Sequence, residues 1–162
     1  MAETYVVGGP VLIKVGTGSA SALETLGYTA NGVEITEEPF FDNIPTDLNG
    51  GDMGPPGDVQ YFGQIDRIRL ELTKYDVAIW AKIAPKLKGG TAGTIGTAGS
   101  LVFQQSLYFR VLLTGSNFTR NYLACIPRNA FGFNSGTRYT RATMEWECHG
   151  LNGTMWNSTT SG

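Results

Sequence analysis

Between Gln64 and Leu72 the chain reads QIDRIRLEL, with Ile68, Leu70 and Leu72 alternating with Arg67, Arg69 and Glu71. Alternation with a period of two puts the apolar set on one face of a strand and the charged set on the other. Such a strand must bury its dry face inside a sandwich or a closed sheet, and it belongs to antiparallel rather than parallel architecture. The pattern recurs in SLYFRVLLT (Ser106–Thr114), where Leu107, Phe109, Val111 and Leu113 share a side, and in NYLACI (Asn121–Ile126). It recurs again in RYTRATMEWEC (Arg138–Cys148), where Tyr139, Arg141, Thr143, Glu145 and Glu147 face away from Thr140, Ala142, Met144, Trp146 and Cys148. Upstream, PVLIKV (Pro10–Val15) reads as a short strand. Leu26–Thr29 and Val33–Thr36 flank Ala30-Asn31-Gly32. Asn-Gly between two such runs predicts a tight hairpin turn.

The period changes once. Asp76 is a helix N-cap residue, and Val77, Trp80, Ile83 and Ala84 then fall on one face of a short helix. Pro85 ends it, and Lys82, Lys86 and Lys88 suit its C-terminal half. The expected fold is therefore mainly β: a single domain over residues 1–162, an antiparallel β-sandwich or barrel of about 7–8 strands with one short flanking helix.

Two irregular segments interrupt the strands. The first, NIPTDLNGGDMGPPGDVQYFG (residues 43–63), carries 5 Gly, 3 Pro and 3 Asp and little that could enter a core. A loop of that length inside a domain is functional or disordered. Phe40 and Phe41 stand at its start. The second, GGTAGTIGTAGS (residues 89–100), holds 5 Gly and no charge. The C-terminal tail, residues 150–162, is polar apart from Leu151, Met155 and Trp156, and a Trp in such a tail marks a dock on the parent domain or a neighbour.

Composition removes several functions. Twelve Lys and Arg against 14 Asp and Glu leave a net charge of −2, without the basic surplus of a nucleic-acid binder. No apolar run spans a membrane, and the N-terminal MAETYVVGG lacks the basic start of a secretory signal. The charge is uneven along the chain. Residues 1–81 hold 12 acids and 4 bases, and residues 82–162 hold 2 acids and 8 bases. Either the folded molecule is electrically polar and packs head to tail, or the halves interleave and the asymmetry disappears.

No arrangement of residues points to an enzyme. His149 is the sole histidine, and as the neighbour of Cys148 on a strand it points to the opposite face. Glu145 and Glu147 share a strand face and read as solvated acids rather than a glycosidase pair. Neither Gly16-Thr-Gly-Ser19 nor the run 89–100 carries a phosphate-loop Lys. Asp47-Leu-Asn-Gly-Gly-Asp52 looks like the start of a calcium loop but lacks its closing Glu. No catalytic, cofactor or metal site is expected. Cys125 and Cys148 read as buried thiols, and spacing alone leaves their pairing open. The sequons at Asn117, Asn152 and Asn157 read as chance.

The run ALETLGYTANGVEITEEPFFDNIPTDLNGGDMGPPGDVQYFGQIDRIRLELTKYD resembles the tail tube (major tail) proteins of tailed bacteriophages. The shared features are the order and type of the elements: a LGYTANGVEI hairpin, acids leading into a long Asp/Gly/Pro loop, then GQIDRIRLEL and a helix opening on Tyr-Asp. The likeness covers roughly residues 10–85 and, more loosely, the C-terminal strands. It implies a virion protein, assembled in the bacterial cytoplasm, whose copies form stacked hexameric rings around passing DNA without binding it specifically. Its partners are then itself and other virion proteins. The segment 43–63 becomes an ordered arm between subunits, anchored by Phe40, Phe41, Met53, Tyr61 and Phe62. Asp47, Asp52 and Trp156 complete the expected subunit interface. The alternatives are a capsid decoration protein and a carbohydrate-binding sandwich using Trp80, Trp146 or Trp156.

Overall fold

The computed structural model describes residues 9–17, 22–45, 57–116, 118–128, 131–134, 136 and 141–158. Its elements run β1 (Leu12–Gly16), β2 (Leu23–Ile44), β3 (Asp58–Tyr75), α1 (Val77–Ile83), β4 (Phe109–Gly115), β5 (Phe118–Ile126), β6 (Gly132–Phe133), β7 (Ala142–His149) and β8 (Trp156–Asn157). The fold class is the expected one, mainly β and antiparallel with one short helix. All eight strands belong to one sheet, in the order β6-β7-β3-β2-β1-β4-β5-β8. β7 also pairs with β5, so the sheet turns back on itself like a ring.

The alternating residues line the inside of this ring. Ile13, Val15, Leu26, Ile68, Leu72, Phe109, Val111, Leu113 and Trp146 have no more than trace exposure and form one core cluster. The helix closes over part of that core. Asp76 Oδ1 accepts from the amides of Ala78 and Ile79 at 2.8 and 3.2 Å, capping two of the amides left free at a helix start. Ile79, Trp80 and Ile83 are buried, whereas Val77 is 71 % exposed. The buried stripe thus starts at Ile79, not Val77, because the cap fixes the first turn pointing outward. Trp80 lies 5.8 Å from the Phe131 ring, which lies 5.2 Å edge-on from Trp146, and Trp146 lies 5.5 Å from Phe109. This aromatic chain joins the helix to the centre of the ring.

The Asn31-Gly32 hairpin does not form. Leu26–Thr29 and Val33–Thr36 both belong to β2, and both pair with β3: Thr29 with Leu72 and Val33 with Leu70. Residues 30–32 face Glu71 alone, so they form a bulge. Gly32, with φ of 79°, provides the left-handed residue there. The Asn-Gly signal reports a positive φ, and a bulge uses it as well as a turn does. The expected loop at 43–63 also shrinks from both ends. Asn43 pairs with Val59 and Ile44 with Asp58, so 43–44 and 58–63 are strand. Strand-forming side chains at Ile44, Val59, Tyr61 and Phe62 outweigh the Gly and Pro nearby. Residues 46–56, with Asp47, Asp52 and Met53, lie outside the described residues.

One glycine is fixed by close approach. A Cβ on Gly27 would collide with the Lys74 carbonyl oxygen and come within 2.8 Å of Tyr75 Cα. Here β3 presses on β2 just before the Asp76 amide donates to the Leu26 carbonyl at 2.7 Å and the helix begins. Gly27→Ala is expected to destabilise the fold by about 1–3 kcal/mol through backbone displacement. Thermal melting by circular dichroism checks this: a loss of several degrees is expected, and an unchanged midpoint would show that the strands do not touch as described.

Candidate assembly surface

The residues with chemical potential gather at the β5–β7 seam, where Ala124 faces His149, Cys125 faces Cys148 and Ile126 faces Glu147. Glu147 is buried, which corrects its expected place among solvated acids. One carboxylate oxygen accepts from Arg128 at 2.7 Å and lies 2.8 Å from His149 Nε2; the other lies 3.6 Å from Arg67. Burial pushes its pKa up, but the hydrogen bonds from Arg128 and His149 outweigh burial and hold it below the ordinary carboxylate value. A carboxylate so occupied serves as a clamp on the seam rather than as a free base. Glu145 pairs instead with Arg69 at 3.3 Å.

The Cys125 and Cys148 sulfurs lie 2.8 Å apart as free, fully buried thiols. Burial, reinforced by the neighbouring Cys125 thiol, drives the Cys148 pKa well up, so it carries its proton at neutral pH. Among the described residues no group of three His, Cys, Asp or Glu is placed to hold a metal ion.

The outstanding surface feature is the far end of the β2–β3 hairpin. β7 pairs β3 only from Asp66 to Leu72, and β1 pairs β2 only from Leu23 to Tyr28. Residues 38–44 and 58–65 therefore continue as a two-stranded ribbon with no third strand among the described residues. Seven residues of strand reach about 20 Å. Directly opposed residues share a face, so Phe41, Asn43, Val59 and Tyr61 lie together. The Phe41 and Tyr61 rings meet at 5.4 Å, yet both side chains are more than half exposed. A register shift beside Phe41 leaves Phe62 as an extra, exposed residue, with Gly63 in a positive φ of 117°. Phe40 and Ile44 are exposed as well. Phe40, Phe41, Tyr61 and Phe62 are thus brought onto one projecting element.

The root of the ribbon is held on both faces. Arg67 reaches Glu38 at 3.1 Å and Glu147 at 3.6 Å, joining ribbon to seam. Arg120 donates to Glu37 at 2.9 Å and to the Tyr122 hydroxyl at 2.9 Å. Its guanidinium also lies 4.4 Å from the Trp156 ring centroid. Trp156 therefore docks on the parent domain, through β8 pairing with Tyr122 and through Arg120. The Glu37–Arg120 pair edges a groove of ≈ 460 Å³ between the open edge of β2 and the β4–β5 turn, with Val33, Ile35 and Phe118 among its walls. Sequence reasoning missed Val59, Ile44 and both arginines. Only the Val59–Tyr61 alternation could have revealed any of them. Among the described residues three ion pairs, Glu24–Lys82, Glu37–Arg120 and Glu71–Arg141, join acids of the first half to bases of the second, so part of the charge asymmetry is cancelled inside the molecule.

No family model and no curated protein matches the sequence. The fold itself is similar to that of a chain in the tail of an empty GTA particle, an assembly with C6 symmetry. The two share 11 % identity with a TM-score of 0.52, over 93 % of this chain and 96 % of the other.

The Glu147 clamp makes the seam sensitive to acid. Its folded pKa is depressed, so the stability it adds is full above the ordinary carboxylate value of about 4.3 and is lost as pH falls through the lower folded value. Glu147→Gln is expected to cost about 1–3 kcal/mol at pH 7. Denaturant titrations should show the gap between the two proteins closing toward pH 3. A gap independent of pH would remove the carboxylate from the clamp.

Proposed function

We propose that this chain is a structural virion protein of the tail type, whose copies assemble into stacked hexameric rings forming a tube for DNA passage. The observation that carries the reading is the ribbon. An isolated two-stranded hairpin is marginal in water, and this one exposes a cluster of apolar side chains with open strand edges on both sides. Such an element gains its stability from a neighbour, by strand addition or by burial of its aromatic face. The shared fold with a chain of a six-fold tail supports the same reading. β2, with Glu24, Glu34, Glu37, Glu38 and Asp42 and no Lys or Arg, suits a lumen through which DNA slides without sticking, since bases at that surface would hold phosphates.

The carbohydrate-binding alternative loses its platform. Trp80 and Trp146 are buried, and the Trp156 ring carries the Arg120 guanidinium. A capsid decoration protein is the reading that a failed assembly test would favour.

Concentrated protein viewed by negative-stain electron microscopy is expected to show six-fold rings or tubes. Phe41→Asp combined with Tyr61→Asp, and separately deletion of Asp47–Gly57, which leaves Pro45 and Thr46 to connect the strands, should each give a folded monomer. Trimers or monomers of the parent protein that bind empty capsids would replace the tube with the decoration role. Normal assembly of both variants would remove the ribbon from the interface.

A further inference from the structure

We propose that the ribbon of one copy docks on the uncharged excursion between α1 and β4 of the next copy. This rests on the assembly reading above and names the receiving surface. From Gly89 to Phe109 the chain carries no charged side chain, and Lys88 and Arg110 bracket it. The excursion is held in a fixed shape. The Thr94 amide donates to Thr91 O at 3.1 Å, Ser100 to Thr97 O at 3.3 Å, and Leu107 to Val102 O at 2.8 Å. The Lys88 amide donates to Leu107 O at 3.0 Å, closing the base. Phe103 lies edge-on to His149 at 4.9 Å, seating the excursion on the seam. On this frame Ile95 is 97 % exposed and Leu101 59 %. Ile95, Leu101 and Phe103 thus stand exposed on one uncharged, hydrogen-bonded segment, an apolar surface open to a partner.

The occupant follows from symmetry and charge. A ring built from one kind of chain uses a heterologous contact, so each copy must carry two different, complementary patches. The ribbon offers an aromatic face backed by Asp42 and Asp58. The excursion offers aliphatic side chains flanked by Lys88 and Arg110, neither of which is ion-paired with a described residue. The aromatic face meets the aliphatic side chains directly, and the acids on the ribbon's other face are drawn to the flanking bases through space rather than by contact.

The test mixes two crippled proteins. Ile95→Asp places a charge in the aliphatic patch, of the same sign as the acids on the ribbon; the Phe41→Asp/Tyr61→Asp protein lacks the aromatic face. Both sites are exposed, and circular dichroism confirms that each protein is folded. By sedimentation, each alone should stay monomeric at concentrations at least tenfold above those at which the parent assembles. Mixed in equal amounts at high concentration and cross-linked, they should yield a one-to-one product that neither gives alone, because each retains the patch the other lost. Ile95→Lys should weaken assembly less than Ile95→Asp. If Ile95→Asp assembles like the parent, or the mixture gives no such cross-linked product, the excursion is not the receiver and the ribbon keeps its role. If the ribbon variant assembles like the parent, the assembly reading itself falls, and this inference with it.

Discussion

The pairing of β2 with β3 sets everything else in the molecule. At one end Gly27 lets the two backbones press together so that β3 can hand over to α1. In the middle the Ala30–Gly32 bulge absorbs a change of register, so that Val33 and Ile35 still pack against the core. At the far end the same ladder runs past every other strand and becomes the ribbon. A single continuous ladder therefore serves both core and projection, and the ribbon's direction is fixed by the body of the fold. Arg67 and Arg120 reinforce that coupling at the root. Both are partly exposed pairs, which position the strand more than they stabilise it.

The seam is the second constraint, and it is short. Among the described residues three pairs join β5 to β7, and without them the ring of strands is open. They are reinforced from the side: a buried carboxylate drawn to Arg128, His149 and Arg67, and two thiols packed sulfur to sulfur. A buried charge is costly unless its partners are complete, and here they are. Since Arg67 also holds Glu38, a disturbance of the seam reaches the ribbon through one side chain. The excursion from Gly89 to Phe109 touches the same place through Phe103 and His149. The two proposed assembly patches are thus connected to one structural joint.

Much of this was legible in the sequence, for a definite reason. The strands Gln64–Leu72 and Ala142–Cys148 alternate cleanly because one face is core and one is wet. The helix announced itself by a cap and a change of period. What failed were signals with two physical meanings. Asn31-Gly32 reports a positive φ, and only the pairing partner, forty residues away, decides between turn and bulge. Gly and Pro near 43–63 hid the strand signal of Val59 and Tyr61, since each strand of a ribbon is stabilised across the pair rather than locally. Glu147 sat in the wet phase of its strand; its burial comes from Arg128 and from β5, which periodicity does not report. The exposure of Phe40, Phe41, Tyr61 and Phe62 was legible because large apolar residues beside a Gly/Pro-rich segment have no core to enter.

In the proposed ring, the exposed ribbon would also limit how strongly copies hold one another. Full burial of a large apolar side chain contributes roughly 1.5–3 kcal/mol. Phe41, Val59 and Tyr61 are about half exposed, so docking would realise about half of that, in total some 2–5 kcal/mol. Bringing two proteins together costs about 4–15 kcal/mol in lost freedom. One ribbon on one excursion therefore makes a weak, reversible contact. A closed ring is different, because the last contact forms within an already assembled chain of subunits and escapes most of that cost. Weak pairwise contacts with cooperative closure let misplaced copies leave before the ring is sealed. On this argument the ribbon's modest apolar face suits the proposed ring, and a much stickier one would trap open, misregistered chains.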